Sequence, residues 1–321
     1  MSRVFSRLHP KLSDALEEKG WKPTPVQENV LPDVMEGHDR LIIAPTGSGK
    51  TMAGILPLFH RCLTASWPSM SILYITPLRA LNRDVDRRLT ELAEAVGLRV
   101  DVRHGDTTQA QRAKQTRKPP NLMVTTPETF QLMFSGKNLR AMLSTVQAVV
   151  VDEVHDLAAS ERGWQLGVGL SRLEALTGKP VQRLGLSATV GNPDAVAHWL
   201  SPGKAKPLVT TGQRITKLTV ESPMPLPEDE VGAVDAALSP KQHAAYRHLC
   251  HILRTQSPCL VFVNSRGDAE TLSTRLQAMA PDLKIGVHHG SLATETRQQM
   301  EDELREGVLS GLVCTSSLEL G

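Results

Sequence analysis

The sequence predicts an α/β protein of two tandem domains, each built on a parallel sheet covered by helices on both faces. Three observations carry that expectation. Short β-branched runs alternate with longer helical patterns along nearly the whole chain. The alternation breaks once, around residues 202–235, and then resumes. A length of 321 residues is long for one core and comfortable for two, and an apolar fraction of 40% suffices to bury two sheets.

The strand candidates of the first half are RLIIA (Arg40–Ala44), SILYITP (Ser71–Pro77), LRVDVRH (Leu98–His104), NLMVTTP (Asn121–Pro127), QAVVVDE (Gln147–Glu153) and VQRLGLSAT (Val181–Thr189). Helices are expected between them, for example over Leu78–Val96 and Gly163–Leu176. In the first of these, Val85, Leu89, Leu92 and Val96 recur at helical spacing. The segment SPMPLPEDEVG is rich in proline and acid and reads as a linker or exposed crossing segment. Beyond it come a helix near Pro240–Arg254, a strand in Pro258–Ser265 and a helix near Asp268–Ala278. A strand in Leu283–Gly290, a helix near Thr294–Glu306 and a strand in Ser310–Ser317 complete the series. The expected domains are 1–210 and 211–321, the second stopping just after a strand.

Charge does not choose a partner: 36 Lys and Arg oppose 34 Asp and Glu, so the placement of charges must decide. Cys62, Cys250, Cys259 and Cys314 are too scattered for a metal knuckle, and three of them sit in apolar surroundings. No apolar run approaches membrane-spanning length and no secretory segment precedes the first domain. The expectation is a soluble protein of a reducing cytosol.

The stretch APTGSGKT carries the clearest chemistry. An apolar strand leads through a glycine-rich turn into Gly49-Lys50-Thr51 at a helix start. Glycines let backbone N–H groups approach phosphates, and the helix start adds partial positive charge. Thr46, Gly47, Ser48 and Gly49 would form the cradle, Lys50 would reach the β- and γ-phosphates of ATP, and Thr51 would offer its hydroxyl to Mg²⁺. Ala44 stands where the G-x-x-x-x-G-K-[ST] pattern has its first glycine; it closes the strand, where a small residue suffices.

An ATPase also needs a carboxylate for magnesium and a second one that activates water. AVVVDEVHD provides both: a strand buried on both faces delivers Asp152 and Glu153 at its carboxyl end, where open α/β sheets bind ligands. Asp152 would hold the metal, often through water, and Glu153 would orient and deprotonate the attacking water. Ser187 and Thr189 follow a neighbouring strand and are expected to hydrogen-bond the Asp152–His155 region. A structural cap is the other reading of Ser187. His155 reads as a coupling residue, because no second ligand of zinc spacing accompanies it.

APTGSGKT, DEVH and LSAT, in that order and at those distances, resemble the superfamily 2 DExH-box helicases. GWKPTPVQ, TPLRAL, TTPETF, VFVNSR, HHGSL and CTSSLELG match the remaining motifs in sequence. HGDT, ERGWQLGVGLSRLEAL and GLSATVGNPDAVAHWL narrow the resemblance to the Lhr-type, or large helicase-related, proteins of prokaryotes. The resemblance spans nearly the whole chain. It implies tandem RecA-like P-loop NTPase domains, with Gln27 reading the adenine edge. It also implies a motor, expected to be monomeric, cytoplasmic and nucleoid-associated, that moves 3′→5′ on single-stranded DNA and unwinds DNA or RNA–DNA duplexes, as in DNA repair.

A motor that steps without reading sequence should grip phosphates with backbone groups, hydroxyls and cations. Three strand-end segments offer them: Pro77–Arg79, Gly105–Asp106–Thr107 and Thr126–Pro127–Glu128. Arg103, Arg112, Lys114, Arg117 and Lys118 extend this track or form an ordinary solvated helix face. In the second domain the resemblance implies Arg266, His289, Gly290, Thr315 and Ser316, with a satisfied strand-end histidine as the other reading of His289. Aromatic residues make up only 3% of the chain, so base stacking should not dominate. Trp21 packs beside the adenine pocket or in the core; Trp164 and Trp199 read as core or interface.

Two tandem domains suggest how hydrolysis becomes movement: closure on ATP and opening afterwards would shift one grip relative to the other. The family pattern continues past LELG with the motif that carries the arginine fingers. The expectation is therefore an incomplete second domain, with ATP and Mg²⁺ binding but poor turnover. An RNA helicase of the DExH class and a nucleotide-gated clamp remain the alternatives.

Overall fold

The structure, a computed structural model, describes residues 4–77, 83–210, 217–315 and 318. It separates into two units, Met1–Arg214 and Ile215–Gly321.

Unit 1 runs α1 (Pro10–Glu18), α2 (Pro25–Met35), β1 (Arg40–Ile43), α3 (Lys50–Thr64), β2 (Ile72–Ile75), α4 (Arg83–Ala95) and β3 (Val100–Arg103). It continues with α5 (Gln109–Arg117), β4 (Leu122–Thr125), α6 (Pro127–Met133), α7 (Lys137–Leu143), β5 (Ala148–Val151) and α8 (Val154–Ala158). It ends with α9 (Glu161–Thr177), β6 (Gln182–Ser187), α10 (Pro193–Leu200) and β7 (Lys206–Val209). The helix starts follow local chemistry. Thr24, Thr108, Thr126, Ser160 and Asn192 each cap a first turn with a side-chain oxygen, and Pro25, Pro127 and Pro193 take the first helical position, where no N–H is missed.

The strands form one parallel sheet in the order β3-β4-β2-β5-β6-β1-β7. Alternate residues feed two cores: Ile42, Ile72, Tyr74 and Val150 face one, with α3; Leu41, Leu73, Ile75, Val149 and Val151 face the other, with α9. Registers are level at the carboxyl ends, where Ile43 pairs Ser187, Ile75 pairs both Val151 and Thr125, and Arg103 pairs Thr125. Every loop that leaves these ends therefore emerges on one edge. That alignment positions the site.

Unit 2 runs α11 (Pro227–Asp235), α12 (Pro240–Thr255), β8 (Cys259–Phe262), α13 (Arg266–Met279), β9 (Ile285–His288), α14 (Thr294–Arg305) and β10 (Gly311–Cys314). Its described strands make a parallel sheet ordered β8-β10-β9. Cys250, Leu253, Leu276, Leu283 and Val313 anchor its core.

Two elements lie inside the stretch read as irregular. β7 pairs with β1 as the sheet's edge, where Pro207 is tolerated because one side of an edge strand needs no donor. α11 begins at Pro227 with Glu228, Asp229 and Glu230 in its first turn, and Asp229 fastens it. That carboxylate is fully buried and receives Arg247 Nε and Nη2, both at 2.9 Å, and lies 2.8 Å from His243 Nδ1. The Arg247 guanidinium holds it well below the usual carboxylate range. The acid-rich segment is thus a docked helix. Cys62, Cys250 and Cys314 are buried thiols and Cys259 is half-buried.

Candidate nucleotide and nucleic-acid sites

The glycine-rich loop leaves β1 and turns into α3. Ala44 is buried at the strand end, its N–H bonded to Ser187 O at 3.1 Å, as a small residue there requires. Gly47 and Gly49 have φ of +75° and +89°, conformations that side chains resist. At Gly49 a Cβ would also stand 2.7 Å from Gln27 Nε2. The turn closes through Ser48 N to Pro45 O at 3.2 Å, with Thr46 inside it, and the buried Ser48 Oγ has no partner among the described residues.

Lys50, 9% exposed, lays its Nζ on the carbonyls of Ala44 (2.7 Å) and Pro45 (3.1 Å). Burial pulls its pKa down, partly opposed by Glu153 and Asp152. Phosphate oxygens would replace those carbonyls with stronger, charge-assisted acceptors. Gln27, buried in the first turn of α2, accepts from Thr24 N at 3.1 Å and donates to Gly49 O at 3.3 Å. It ties that helix directly to the phosphate loop.

Asp152 and Glu153 leave β5, two strands from β1. Asp152 accepts from Tyr74 Oη and, through Oδ1, from Glu153 N at 2.9 Å. Burial pushes the carboxyl of Asp152 up; burial and then the Asp152 charge do the same to Glu153. Glu153 holds a φ of +43°, a left-handed conformation uncommon for its type. His155, in α8, lies 2.9 Å from Ser187 Oγ, and that hydroxyl donates to Thr189 O at 3.0 Å. A hydroxyl has one proton, so His155 Nδ1 is the donor to Ser187. The same nitrogen lies 3.5 Å from Glu153 Oε2. Ser187 and Thr189 are thus brought to the acids through His155.

The residues fit a magnesium nucleotide. The Tyr74 hydroxyl and Glu153 N hold the two oxygens of Asp152, and Thr51 follows Lys50 in the first turn of α3. Magnesium keeps several waters and takes one or two carboxylates, so this donor set suffices.

The expected nucleic-acid segments leave β2, β3 and β4, which are adjacent on the same edge. Pro77 O accepts from Arg162 Nη2 at 3.1 Å, and Arg162 Nε meets Glu128 Oε1 at 2.6 Å. Arg79 lies outside the described residues. Around Gly105, Asp106 and Thr107, His104 N donates to Thr107 Oγ1 at 2.9 Å. Arg112 binds the carbonyls of Thr107 (3.0 Å), His104 (3.2 Å) and Gly105 (3.0 Å). Arg103 is buried against Gln115. Arg103 and Arg112 thus brace the loop. Thr126 caps α6 and Pro127 takes its first position.

In unit 2, Arg266 opens α13 and hydrogen-bonds Ser291, beside Gly290. His289 is buried with Nε2 2.7 Å from Glu270 Oε1, while its buried Nδ1 has no partner among the described residues. Thr315 N donates to His288 O at 3.2 Å; Ser316 lies outside the described residues.

The DEAD/DEAH box helicase family profile matches residues 24–196, and that of the helicase conserved C-terminal domain matches 244–321. The Lhr helicase/probable uracil glycosylase of Mycolicibacterium smegmatis is 36% identical over 93% of this chain and 23% of that protein. ATP-dependent helicase Lhr-Core of Methanothermobacter thermautotrophicus is 33% identical over 99% of this chain and 39% of that protein. The structure of Mycobacterium smegmatis helicase Lhr bound to ssDNA and AMP-PNP superposes with a TM-score of 0.80 at 35% identity, covering 99% of this chain and 43% of that one. The chain belongs to the DEAD/DEAH box helicases, in their Lhr branch. It spans less than half the length of these relatives.

Its two units are accordingly the RecA-like domains of an Lhr-type helicase core. Within that frame the sequence reading missed two residues. Tyr74 had a signal, since a tyrosine in a strand buried on both faces needs a partner for its hydroxyl. Arg162 had none: nothing in ERGWQL places it against Pro77 and Glu128. Of the tryptophans, Trp21 and Trp199 pack on core clusters, whereas Trp164 is 70% exposed and outside the core.

Proposed function

We propose that the chain is the motor core of an ATP-dependent helicase that moves 3′→5′ on single-stranded DNA and unwinds DNA or RNA–DNA duplexes. The observation that carries this reading is the division of one sheet edge. β5, β6 and β1 deliver the phosphate loop, the acid pair and Ser187, while β3, β4 and β2 deliver the phosphate-gripping candidates. In favour of DNA stands the relative solved with ssDNA and AMP-PNP. Polarity and duplex type rest on the family resemblance.

Lys50 and the loop Thr46–Gly49 would hold the triphosphate, Thr51 and Asp152 would hold Mg²⁺, and Gln27 would meet the base. Bound magnesium would neutralise charge on the phosphates. Glu153, its pKa raised, holds the position from which a water proton is taken, and His155 relays its state to Ser187 and Thr189. Among the described residues no helix is long and apolar enough to cross a membrane, and the relatives reported are bacterial and archaeal. A monomeric motor acting in the cytoplasm on nucleoid DNA fits both.

Calorimetry with AMP-PNP and Mg²⁺ tests the nucleotide site. Lys50→Ala removes charge-assisted bonds worth about 1.5–3 kcal/mol, so affinity should fall about 10- to 150-fold. Equal binding by both chains refutes the site. Anisotropy with labelled single-stranded DNA and RNA then tests the track, and failure to bind DNA refutes it.

A further inference from the structure

Tyr74 is the third residue of β2, fully exposed to neither solvent nor loop: it is among the largest completely buried side chains and sits in the core shared with α3. A phenol there must find partners, because an unpaired hydroxyl in the core is costly. It finds one in Asp152: its hydroxyl donates to Oδ2. The strand register makes this possible: Tyr74 pairs with Val150, two residues before Asp152.

Asp152 is thereby held at both oxygens, since Oδ1 accepts from Glu153 N at 2.9 Å. An ionised carboxylate has about four lone-pair sites, so these two bonds fix its orientation and leave sites for a cation or its waters.

We propose that Tyr74 is a positioning residue for magnesium, orienting the Asp152 carboxylate before the metal arrives. The inference rests on the nucleotide–magnesium reading above and deepens it. Phenylalanine would fill the same core volume, so packing alone gives no reason for the hydroxyl.

The test is a titration with Mg²⁺ of fluorescent ribose-labelled ADP binding to the 321-residue chain, with a metal-free baseline in EDTA. The chains compared are the unsubstituted one and Tyr74→Phe. Residues that orient metal ligands typically contribute 10- to 100-fold to metal affinity. Tyr74→Phe should bind the nucleotide unchanged in EDTA yet need about 10- to 100-fold more Mg²⁺ to reach half of the metal-dependent gain. Superimposed magnesium curves overturn the inference and leave the nucleotide reading standing. So does a variant that loses nucleotide equally with and without metal, because the hydroxyl would then serve the fold. No nucleotide binding by the unsubstituted chain overturns both.

Discussion

Gly163→Ala adds one methyl group to the first turn of α9 and has nowhere to put it. The new Cβ would stand 1.8 Å from the carbonyl oxygen of Leu157 and 2.5 Å from its carbon. Those are backbone atoms at the end of α8, so no side chain can swing away, and the contact must open from 1.8 to about 3.0 Å. Overpacking costs about 1–3 kcal/mol, and a backbone obstacle puts this case near the top of that range. Alanine returns about 1 kcal/mol of helix propensity over glycine, leaving a net loss of about 2 kcal/mol. Unit 1 spans Met1–Arg214, a size for which 1 kcal/mol moves the melting point by about 2–4 °C. The expected fall is about 4–8 °C. All four tryptophans, Trp21, Trp67, Trp164 and Trp199, lie in unit 1, so tryptophan fluorescence reports its melting alone. Gly167→Ala, one turn later, is the control: its Cβ would meet only Trp199 Nε1 at 3.7 Å, an ordinary contact. Propensity alone then acts, and the melting point should rise by about 2–4 °C. A Gly163→Ala chain that melts no lower than the unsubstituted one refutes the packing of α8 against α9 described here.

Glu153→Gln should stabilise unit 1 near neutral pH. The folded carboxyl titrates above its unfolded value, so the folded state binds the extra proton in the window between them, and stability falls as pH rises through it. The gain from Gln should vanish below about pH 4.3, the ordinary glutamate value; fluorescence melts across pH that show a constant difference argue against this sign. Arg162→Ala should weaken single-stranded DNA binding about fivefold by freeing Glu128 to face phosphates, taking ~1 kcal/mol for like charges about 4 Å apart in water. The pair is half-exposed, at 45% and 54%, so the melting point should barely move. Anisotropy that finds unchanged affinity, or Glu128→Gln that fails to restore it, removes Arg162 from the track.

The sequence made the sheet-and-helix alternation legible because strands buried on both faces read as unbroken apolar runs: AVVV and LMVT could be little else. The nucleotide residues were legible for a different reason, since phosphate and metal chemistry restricts both type and spacing. What escaped was decided at long range. KPLV is strand only because β1 offers it an edge, and its half-exposed pattern carries no period. PEDEVGAVD looked solvated because its acids were counted as surface, yet Asp229 is claimed by His243 and Arg247, 14 and 18 residues onward. The proline at the first helical position and acids in the first turn were a helix signal in that stretch. Arg112 shows the same long-range decision at work: a cation in a basic run lies on carbonyls of its own loop.

The two halves of the sheet edge hold their groups by different physics, and the difference suits their tasks. On the β5–β6–β1 side the groups are kept under tension: Lys50 buried on carbonyls, Asp152 and Glu153 pushed up by burial, Glu153 at a positive φ. Such an arrangement is unfavourable until opposite charge enters, and is sustained only because the surrounding core over-determines it. A triphosphate with its metal would bring both signs at once and relieve that cost. On the β3–β4–β2 side the groups are satisfied at the surface, by Arg112 on a loop and Arg162 between two others, at little energetic stake. A surface of weak, backbone-directed contacts can be gripped and released without regard to base sequence. On the proposed reading, tension at the nucleotide site and slack along the path of the strand is the distribution that a stepping motor would require.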